Sequence, residues 1–223
     1  MVSALYDFKQ PILNVYGVSG LVADKRVFEH LTLDIEIIPI DSITPYSNES
    51  IKSYSKRLSA VIDASKDFAL IGVSFGGLIA TEINQILNAK KVILISSAQT
   101  KSELRLIYKW VGNSRILKLI PASLLNPPKF VAKYIMGAHN SKLFFEILDD
   151  TNLCFVKWAL QEFTTWKNTN QSTKVIKING TKDKLIPPKG NTRMKLIEGG
   201  EHFMIVDRAN EISEIINFEL KNT

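Results

Sequence analysis

The sequence has very little cysteine and no long apolar run. Cys154 is the only cysteine among the 223 residues, which excludes an intrachain disulfide and any metal site built on several cysteines. The longest apolar runs fall far short of the roughly 20 residues that a membrane-spanning helix requires. The first ten residues lack both a basic start and a long apolar stretch, so they do not resemble a secretory signal. We therefore expect a cytoplasmic protein without a membrane span.

Charge and composition narrow the class of protein further. Lys and Arg number 28 and Asp and Glu number 22, which gives a net charge of +6. No run of basic residues is dense enough to indicate a nucleic-acid partner. Hydrophobic residues make up 45% and charged residues 22%, proportions typical of a globular protein. At this length we expect one domain, or one domain that carries an insertion.

Short apolar runs alternate with segments of helical periodicity. Such runs, closed by glycine or polar residues, are typical of strands that are buried on both faces of a parallel sheet. The alternation predicts an α/β fold of about six mainly parallel strands with helices on both faces. The predicted strands are residues 11–16, 35–40, 68–73, 91–96, 173–178 and 193–197, and a helix is predicted near residues 25–31 between the first two.

The alternation stops between the fourth and fifth predicted strands. Residues 101–170 contain only helix-like pieces, so we expect a core domain of residues 1–100 and 171–223 that carries a helical insertion. The insertion holds ten Lys and Arg against five Asp and Glu, all three tryptophans and ten of the 20 aromatic residues. These rings either line a binding site beside the sheet or hold the helices of the insertion in place, and both can be true.

A glycine-rich sequence, Gly-Val-Ser-Phe-Gly at residues 72–76, stands where a strand should end and a helix begin. This context suits a nucleophile elbow, in which a sharp turn holds the serine in a strained backbone conformation. Gly72 and Gly76 leave room for the chains to approach each other around Ser74. A serine hydroxyl is a weak nucleophile unless a neighbouring base removes its proton, so a histidine is required.

Of three histidines, only one follows a predicted strand closely. His30 suits a helix end and His139 a polar turn, whereas His202 follows the last strand in a glycine-rich loop. Asp183 follows the fifth strand, and its simplest alternative role is to cap a turn. The carboxyl ends of parallel strands gather at one edge, where ligands of open α/β sheets bind. We therefore expect Asp183 and His202 to meet Ser74 there.

The order Ser74, Asp183, His202, with each residue after a strand, resembles that of the α/β-hydrolase superfamily. The resemblance spans most of the chain. It implies that Ser74 is the nucleophile, Asp183 the acid and His202 the base, and that the insertion is a helical lid. It also implies an esterase-like or thioesterase-like serine hydrolase that works through an acyl-enzyme without metal or organic cofactor.

The resemblance further implies an oxyanion hole made by the backbone amides of Val18 and Phe75. Gly17 would let the loop after the first strand turn its amides toward the developing charge. The sequence departs from the family pattern in several places, since Tyr16 stands where many relatives have histidine and the family's first two strands are missing. Only 18 residues separate Asp183 from His202, so the usual crossover helix should be reduced to a turn near residues 187–191.

Several functions stay compatible with this pattern. The same triad serves carbon-carbon bond hydrolases, lyases and acyltransferases, and a ligand-binding protein could keep the pocket without turnover. The aromatic insertion favours a small acyl substrate that is at least partly apolar, and the charge of the insertion permits an anionic group on it. The sequence indicates neither the acyl chain length nor the oligomeric state.

Overall fold

The computed structural model describes residues 13–21, 23–114, 116–190 and 193–223. Its centre is a sheet of six strands in the order β2-β1-β3-β4-β5-β6, with every neighbouring pair parallel. This confirms the predicted fold class. The strands are β1 (Asn14–Val18), β2 (Ile37–Ile40), β3 (Phe68–Val73), β4 (Lys91–Ile95), β5 (Val175–Gly180) and β6 (Met194–Ile197).

Helices cover both faces of the sheet and fill the segment between β4 and β5. Short 3₁₀ turns lie at Lys25–Val27, Ser59–Val61 and Ala122–Leu125. The α-helices are α1 (Ile51–Leu58), α2 (Phe75–Leu87), α3 (Leu106–Ser114), α4 (Ile116–Leu119), α5 (Lys129–Met136), α6 (Ser141–Asp149), α7 (Leu153–Thr165), α8 (Met204–Asp207) and α9 (Ala209–Lys221).

The inner strands of the sheet are mainly apolar because both of their faces are covered, whereas the edge strands β2 and β6 are partly exposed. All six residues of β3 are buried, and they alternate between two hydrophobic clusters. Leu70 belongs to the cluster that includes residues of α1, α2 and α7, whereas Ile71 belongs to the cluster that includes residues of α9. This is the reason that the strands could be recognised as continuous apolar runs rather than as alternating patterns.

Helix boundaries follow local capping. Ser50 accepts a hydrogen bond from the backbone N–H of Ser53 at the start of α1, and Asn152 accepts bonds from the first N–H groups of α7. These polar side chains satisfy donors that a helix cannot satisfy internally. Among the described residues, no helix is long and apolar enough to cross a bilayer.

Two predicted boundaries were wrong. β1 extends through Val18, although Gly17 suggested a turn; Gly17 pairs with Pro39 on one side and Ile71 on the other. A Cβ at this position would press against Ile37 and Phe28, so the glycine serves close packing inside the sheet. Residues 11 and 12 of the predicted first strand lie outside the described residues. The helix predicted near residues 25–31 is only a 3₁₀ turn, Lys25–Val27, followed by further turns.

Candidate active site

Ser74 occupies a strained turn between β3 and α2. Its backbone has φ +51° and ψ −121°, a conformation that is costly for a residue with a side chain. Two hydrogen bonds hold it there: the N–H of Ser74 donates to the carbonyl oxygen of Ile95 (2.9 Å), and the Ser97 hydroxyl donates to the carbonyl of Ser74 (2.7 Å). The turn leaves the Ser74 side chain partly exposed beside a cavity.

The glycines around Ser74 are required by close approach. A Cβ on Gly72 would overlap Gly77 and Ala80, and a Cβ on Gly76 would overlap the backbone of Val18 and Ser19. Any larger residue would therefore force β1, β3 and α2 apart. The structure thus gives Gly72 and Gly76 the steric role that the sequence suggested.

The three residues expected to meet do so in a hydrogen-bonded line. Nε2 of His202 lies 2.8 Å from Oγ of Ser74, and Nδ1 of His202 lies 2.8 Å from Oδ2 of Asp183. Asp183 and His202 are both buried. The remaining carboxylate oxygen, Oδ1, accepts hydrogen bonds from the N–H groups of Leu185 and Ile186, both at 2.9 Å. These bonds fix the carboxylate so that Oδ2 faces the imidazole.

The loops that carry the acid and the base are joined directly. The N–H of Lys182 donates to the carbonyl of Gly200 (2.9 Å), and the side chain of Lys184 forms a 3.1 Å ion pair with Glu201. This pair links the neighbour of Asp183 to the neighbour of His202. The described residues between the two loops contain no crossover helix, in agreement with the short spacing. Contacts between the loops therefore position the acid against the base.

Gly17 and Val18 do not form the predicted loop beside the serine. Val18 is the last residue of β1 and pairs with Gly72, which lies two residues before Ser74 in the sequence. Gly17 and Val18 are therefore strand residues, and their predicted position in the loop is wrong. The residue beside the serine is Gly20, where a Cβ would lie 3.1 Å from Cβ of Ser74. Sequence alone could not reveal this, because a glycine-rich stretch does not show where pairing in the sheet ends.

Two backbone N–H groups near Ser74 suit the binding of a negative charge. Phe75 is the first residue of α2, where N–H groups have no partner within the helix and the helix dipole is positive. Leu21 follows Gly20, and its N–H has no acceptor among the residues that the structure describes. The sequence did not single out Leu21, because it lies beyond the glycines that marked the loop.

A cavity of about 290 Å³ opens beside the serine and the histidine. Its walls are predominantly apolar, and both the sheet domain and the insertion contribute to them. The insertion supplies side chains such as Leu125, Met136, Phe144, Val156, Leu160 and Phe163. Such a cavity is suited to an apolar group a few carbon atoms in length or larger.

A second cavity of about 490 Å³ adjoins the first at Gly20 and Leu21. It is larger and more polar, with Ser42, Thr44 and Gln161 among its lining residues, but neither Ser74 nor His202 lines it. Of these two cavities, the smaller one is therefore the one that borders Ser74 and His202. Within the described ranges, no three His, Cys, Asp or Glu side chains are close enough to hold a metal ion.

Tyr108 connects the insertion to the acid loop. Its hydroxyl donates to the carbonyl of Leu185 (2.9 Å), and burial raises the pKa of the phenol, so it stays protonated as a donor at neutral pH. Arg105 adds a bond from Nη1 to the carbonyl of Lys184 (2.6 Å). Nothing in the sequence indicated this contact, because Tyr108 lies in the insertion, where only helix-like pieces were predicted.

Comparison with known proteins places this geometry in a wider context. The model of a family described as the uncharacterised protein family UPF0227 matches residues 21–105. No match was found among the curated proteins. Solved structures, however, superpose over nearly the whole chain. An esterase from Exiguobacterium antarcticum has a TM-score of 0.73 at 17% identity, covering 94% of this chain and 92% of the esterase.

A second similar structure is MenH from S. aureus, with a TM-score of 0.69 at 18% identity over 96% of this chain and 95% of that protein. This chain has the α/β-hydrolase fold. A thermophilic esterase from Thermogutta terrifontis is similar to the same extent, with a TM-score of 0.71 at 14% identity, covering 94% of this chain and 90% of that protein. At these identities the likeness establishes the α/β-hydrolase fold, and the chemistry has to be argued from the site.

Proposed function

We propose that this protein is a serine hydrolase that cleaves a carboxylic or thiol ester of an apolar acyl group. The observation that carries the proposal is the unbroken line of hydrogen bonds from Ser74 through His202 to Asp183. A strained serine beside a buried imidazole and carboxylate has no evident structural purpose, because its conformation costs stability. The esterases among the similar structures support the same reaction class.

The proposed reaction begins with proton transfer. Nε2 of His202 accepts the proton of the Ser74 hydroxyl as Oγ attacks the carbonyl carbon of the substrate. The tetrahedral intermediate then collapses, and the imidazolium of His202 returns the proton to the leaving oxygen or sulfur. Water, activated by the same imidazole, releases the acid from the acyl-enzyme. The Asp183 carboxylate orients the imidazole and stabilises its protonated form in both steps.

The oxyanion of each intermediate would bind the N–H groups of Phe75 and Leu21. We assign Leu21 here in place of Val18, because Gly20 lies against Ser74 and Val18 is within β1. Both donors are backbone groups held by a helix start or a tight loop, so they need little reorganisation as charge develops. The acyl chain would occupy the cavity of about 290 Å³, whose apolar walls exclude water from the reacting carbonyl.

A panel of p-nitrophenyl esters of increasing acyl length tests the proposal. We expect hydrolysis by the native protein, with a decline once the acyl group exceeds the cavity. Ser74→Ala and His202→Ala should lower kcat by at least roughly 10³-fold, and Asp183→Asn by roughly 10³- to 10⁴-fold through the wrong imidazole tautomer. His30→Ala, a substitution of an exposed histidine, is the matched control and should have no effect.

Hydrolysis that survives Ser74→Ala would refute the assignment of the nucleophile. The triad would also serve an acyltransferase, in which a second acceptor replaces water. Incorporation of labelled oxygen from water into the released acid distinguishes the two reactions. A ligand that raises the melting temperature without being consumed would instead favour a binding protein without turnover.

A further inference from the structure

The net charge of the protein originates in one stretch of the insertion. Residues 104–136, called the basic segment below, contain six Lys and Arg and no Asp or Glu. The remaining 22 Lys and Arg of the chain equal its 22 Asp and Glu in number. The basic segment comprises α3, α4, the 3₁₀ turn Ala122–Leu125 and α5. The excess positive charge of the molecule is therefore concentrated in one segment of the sequence rather than spread along the chain.

The basic segment also exposes large apolar side chains. Seven large apolar residues among the described ones are at least 65% exposed, and six of them lie in this segment. The exception is Val61. The six are Leu106, Trp110, Leu119, Leu124, Phe130 and Tyr134. Scattered exposed apolar residues are ordinary, but such a concentration in about a seventh of the chain marks an interaction surface.

Apolar and basic residues alternate closely within this surface. Leu106 and Trp110 lie one turn apart on α3, and Phe130 and Tyr134 lie one turn apart on α5. Each of these four directly follows a Lys or Arg in the sequence, as Leu119 does in α4. The aliphatic part of a lysine or arginine side chain can lie along an apolar surface while its charged group stays in water. Short helices with this composition are typical of surfaces that rest on a membrane.

We propose that the basic segment docks on an anionic lipid surface. Negative headgroups would match the cations of the segment, although Lys129 already pairs with Asp149 (2.6 Å). The apolar side chains, including Trp110 and Phe130, would enter the boundary between headgroups and acyl chains. A second copy of this chain is a poorer partner, because it would bring a net charge of +6 against another +6. An acidic protein would match the charge, but six scattered apolar side chains suit a fluid apolar layer better than a fixed partner.

The same segment forms part of the wall of the cavity beside Ser74. The cavity is lined by Tyr108, Leu125 and Met136 of this segment. Directly beside them in sequence, Ile107, Leu124 and Ile135 are exposed. Docking would therefore bring the lipid layer next to the cavity. If the proposed hydrolysis holds, the substrate would be an ester whose acyl chain dissolves in that layer. This consequence rests on the proposed function, whereas the docking itself does not.

Vesicle binding tests the docking without any need for catalysis. The Ser74→Ala variant is mixed with phosphatidylcholine vesicles, with or without phosphatidylglycerol, and sedimented at low and high salt. We expect binding only to the anionic vesicles, weakened at least tenfold by high salt because the charges are exposed. Trp110 is the exposed tryptophan, so its emission should shift to shorter wavelength on binding, and Trp110→Phe should abolish the shift.

Matched variants separate the basic segment from the rest of the surface. Phe130→Ser should weaken binding roughly tenfold or more, because a buried phenyl group is lost from the lipid layer. Phe218→Ser removes a phenyl group from α9 that is also mostly exposed (61% against 73% for Phe130) and should change nothing. The double change Lys118→Gln, Lys133→Gln should weaken binding roughly 10- to 30-fold. The same change at Lys52 and Lys56, exposed on α1, is its control.

Several results would overturn the proposal. Failure to bind anionic vesicles at low salt would do so, and so would equal losses from Phe130→Ser and Phe218→Ser. Binding to polyglutamate as tight as to vesicles, and insensitive to Phe130→Ser, would point to an acidic protein instead. A dimer in sedimentation velocity that Phe130→Ser abolishes, without vesicle binding, would assign the surface to a second copy. Loss of ester hydrolysis with intact vesicle binding would refute only the proposed reaction.

Discussion

The two ends of the helical insertion differ in how they relate to the sheet domain. Trp110, in α3, is 72% exposed, whereas Trp158 and Trp166, in and just after α7, are 8% and 6% exposed. The indole of Trp158 packs against Tyr54 and Phe75, and its Nε1 donates to the carbonyl of Glu49 (2.7 Å). The insertion is therefore composite: α7 belongs to the core of the protein, and the basic segment is an outer surface.

Polar contacts strengthen the attachment of α7. The carboxylate of Glu162 accepts a hydrogen bond from the N–H of Ile51, the first residue of α1 (2.8 Å). Trp166 Nε1 donates to the carboxylate of Glu82 on α2 (2.8 Å). These bonds tie α7 and the residue that follows it to α1 and α2, and α2 begins directly after Ser74. We therefore expect any rearrangement that admits substrate to occur in the basic segment rather than in α7.

The largest expected contrast between the two regions lies in their tryptophans. Trp158→Ala should lower the free energy of unfolding by about 3–5 kcal/mol, because it removes a buried ring and leaves a cavity. Trp110→Ala should change it by less than about 0.5 kcal/mol, because the ring is exposed. Urea denaturation of both variants measures the difference. Equal losses would contradict the division of the insertion into two regions.

A smaller contrast concerns the buried carboxylate beside Trp158. Glu49 accepts two hydrogen bonds from Arg57, at 2.9 and 2.8 Å, and these bonds lower the pKa of Glu49 below its ordinary value of 4.5. The ion pair of Glu49 stabilises the fold fully when the pH is above the ordinary pKa of the carboxyl group. This stabilisation is lost as the pH falls through the lower pKa that Glu49 has in the folded protein. Glu49→Gln should therefore cost roughly 1–3 kcal/mol at neutral pH and progressively less in acid.

Denaturant titrations at a series of pH values check the Glu49 prediction. Glu36→Gln, which neutralises an exposed carboxylate, is the control and should show no such convergence. A Glu49→Gln variant whose deficit persisted unchanged at the acid end would show that the loss comes from packing rather than from charge.

The smallest expected effect is an increase in the free energy of unfolding, on substitution of Glu162, whereas the changes above lower it. Burial raises the pKa of Glu162 in the folded protein, so the carboxyl group disfavours folding once pH rises above its ordinary value. Glu162→Gln keeps an oxygen that can accept from Ile51 N–H and removes this charge. We expect the variant to gain stability relative to the native protein between acid and neutral pH, by less than about 1 kcal/mol because the group is only partly buried. A loss at neutral pH would contradict this.

Much of the fold was predictable because the sheet is buried on both faces. The four inner strands β1, β3, β4 and β5 are buried and appear as mainly apolar runs, whereas the edge strands β2 and β6 are half exposed. The residue after each strand reaches the edge where the site forms. This is why Ser74, Asp183 and His202 could be selected together. The link between the acid and base loops, which includes Lys184 and Glu201, was invisible because it depends on two loops meeting in space.

The sequence misled or gave no answer where one residue type can serve two structural roles. Gly17 suggested a turn, but its small size serves packing inside β1, so Val18 ends the strand instead of lying in the loop after it. This is why the proposed oxyanion donor is Leu21 in place of Val18. The tryptophans of the insertion could not be sorted by composition, because Trp110 and Trp158 occur in similar amphipathic surroundings. Only the packing of α7 against Tyr54 and Phe75 separates a core ring from a surface ring.

Covalent labelling of Ser74 tests the central claim most directly. A fluorophosphonate reacts with a serine hydroxyl only when a base and an oxyanion site activate it. Intact-mass measurement should show one adduct on the native protein, and peptide mapping should locate it at Ser74. Ser74→Ala should show none, and His202→Ala should be labelled far more slowly. An unlabelled native protein, or an adduct on another residue that persists in Ser74→Ala, would contradict the account.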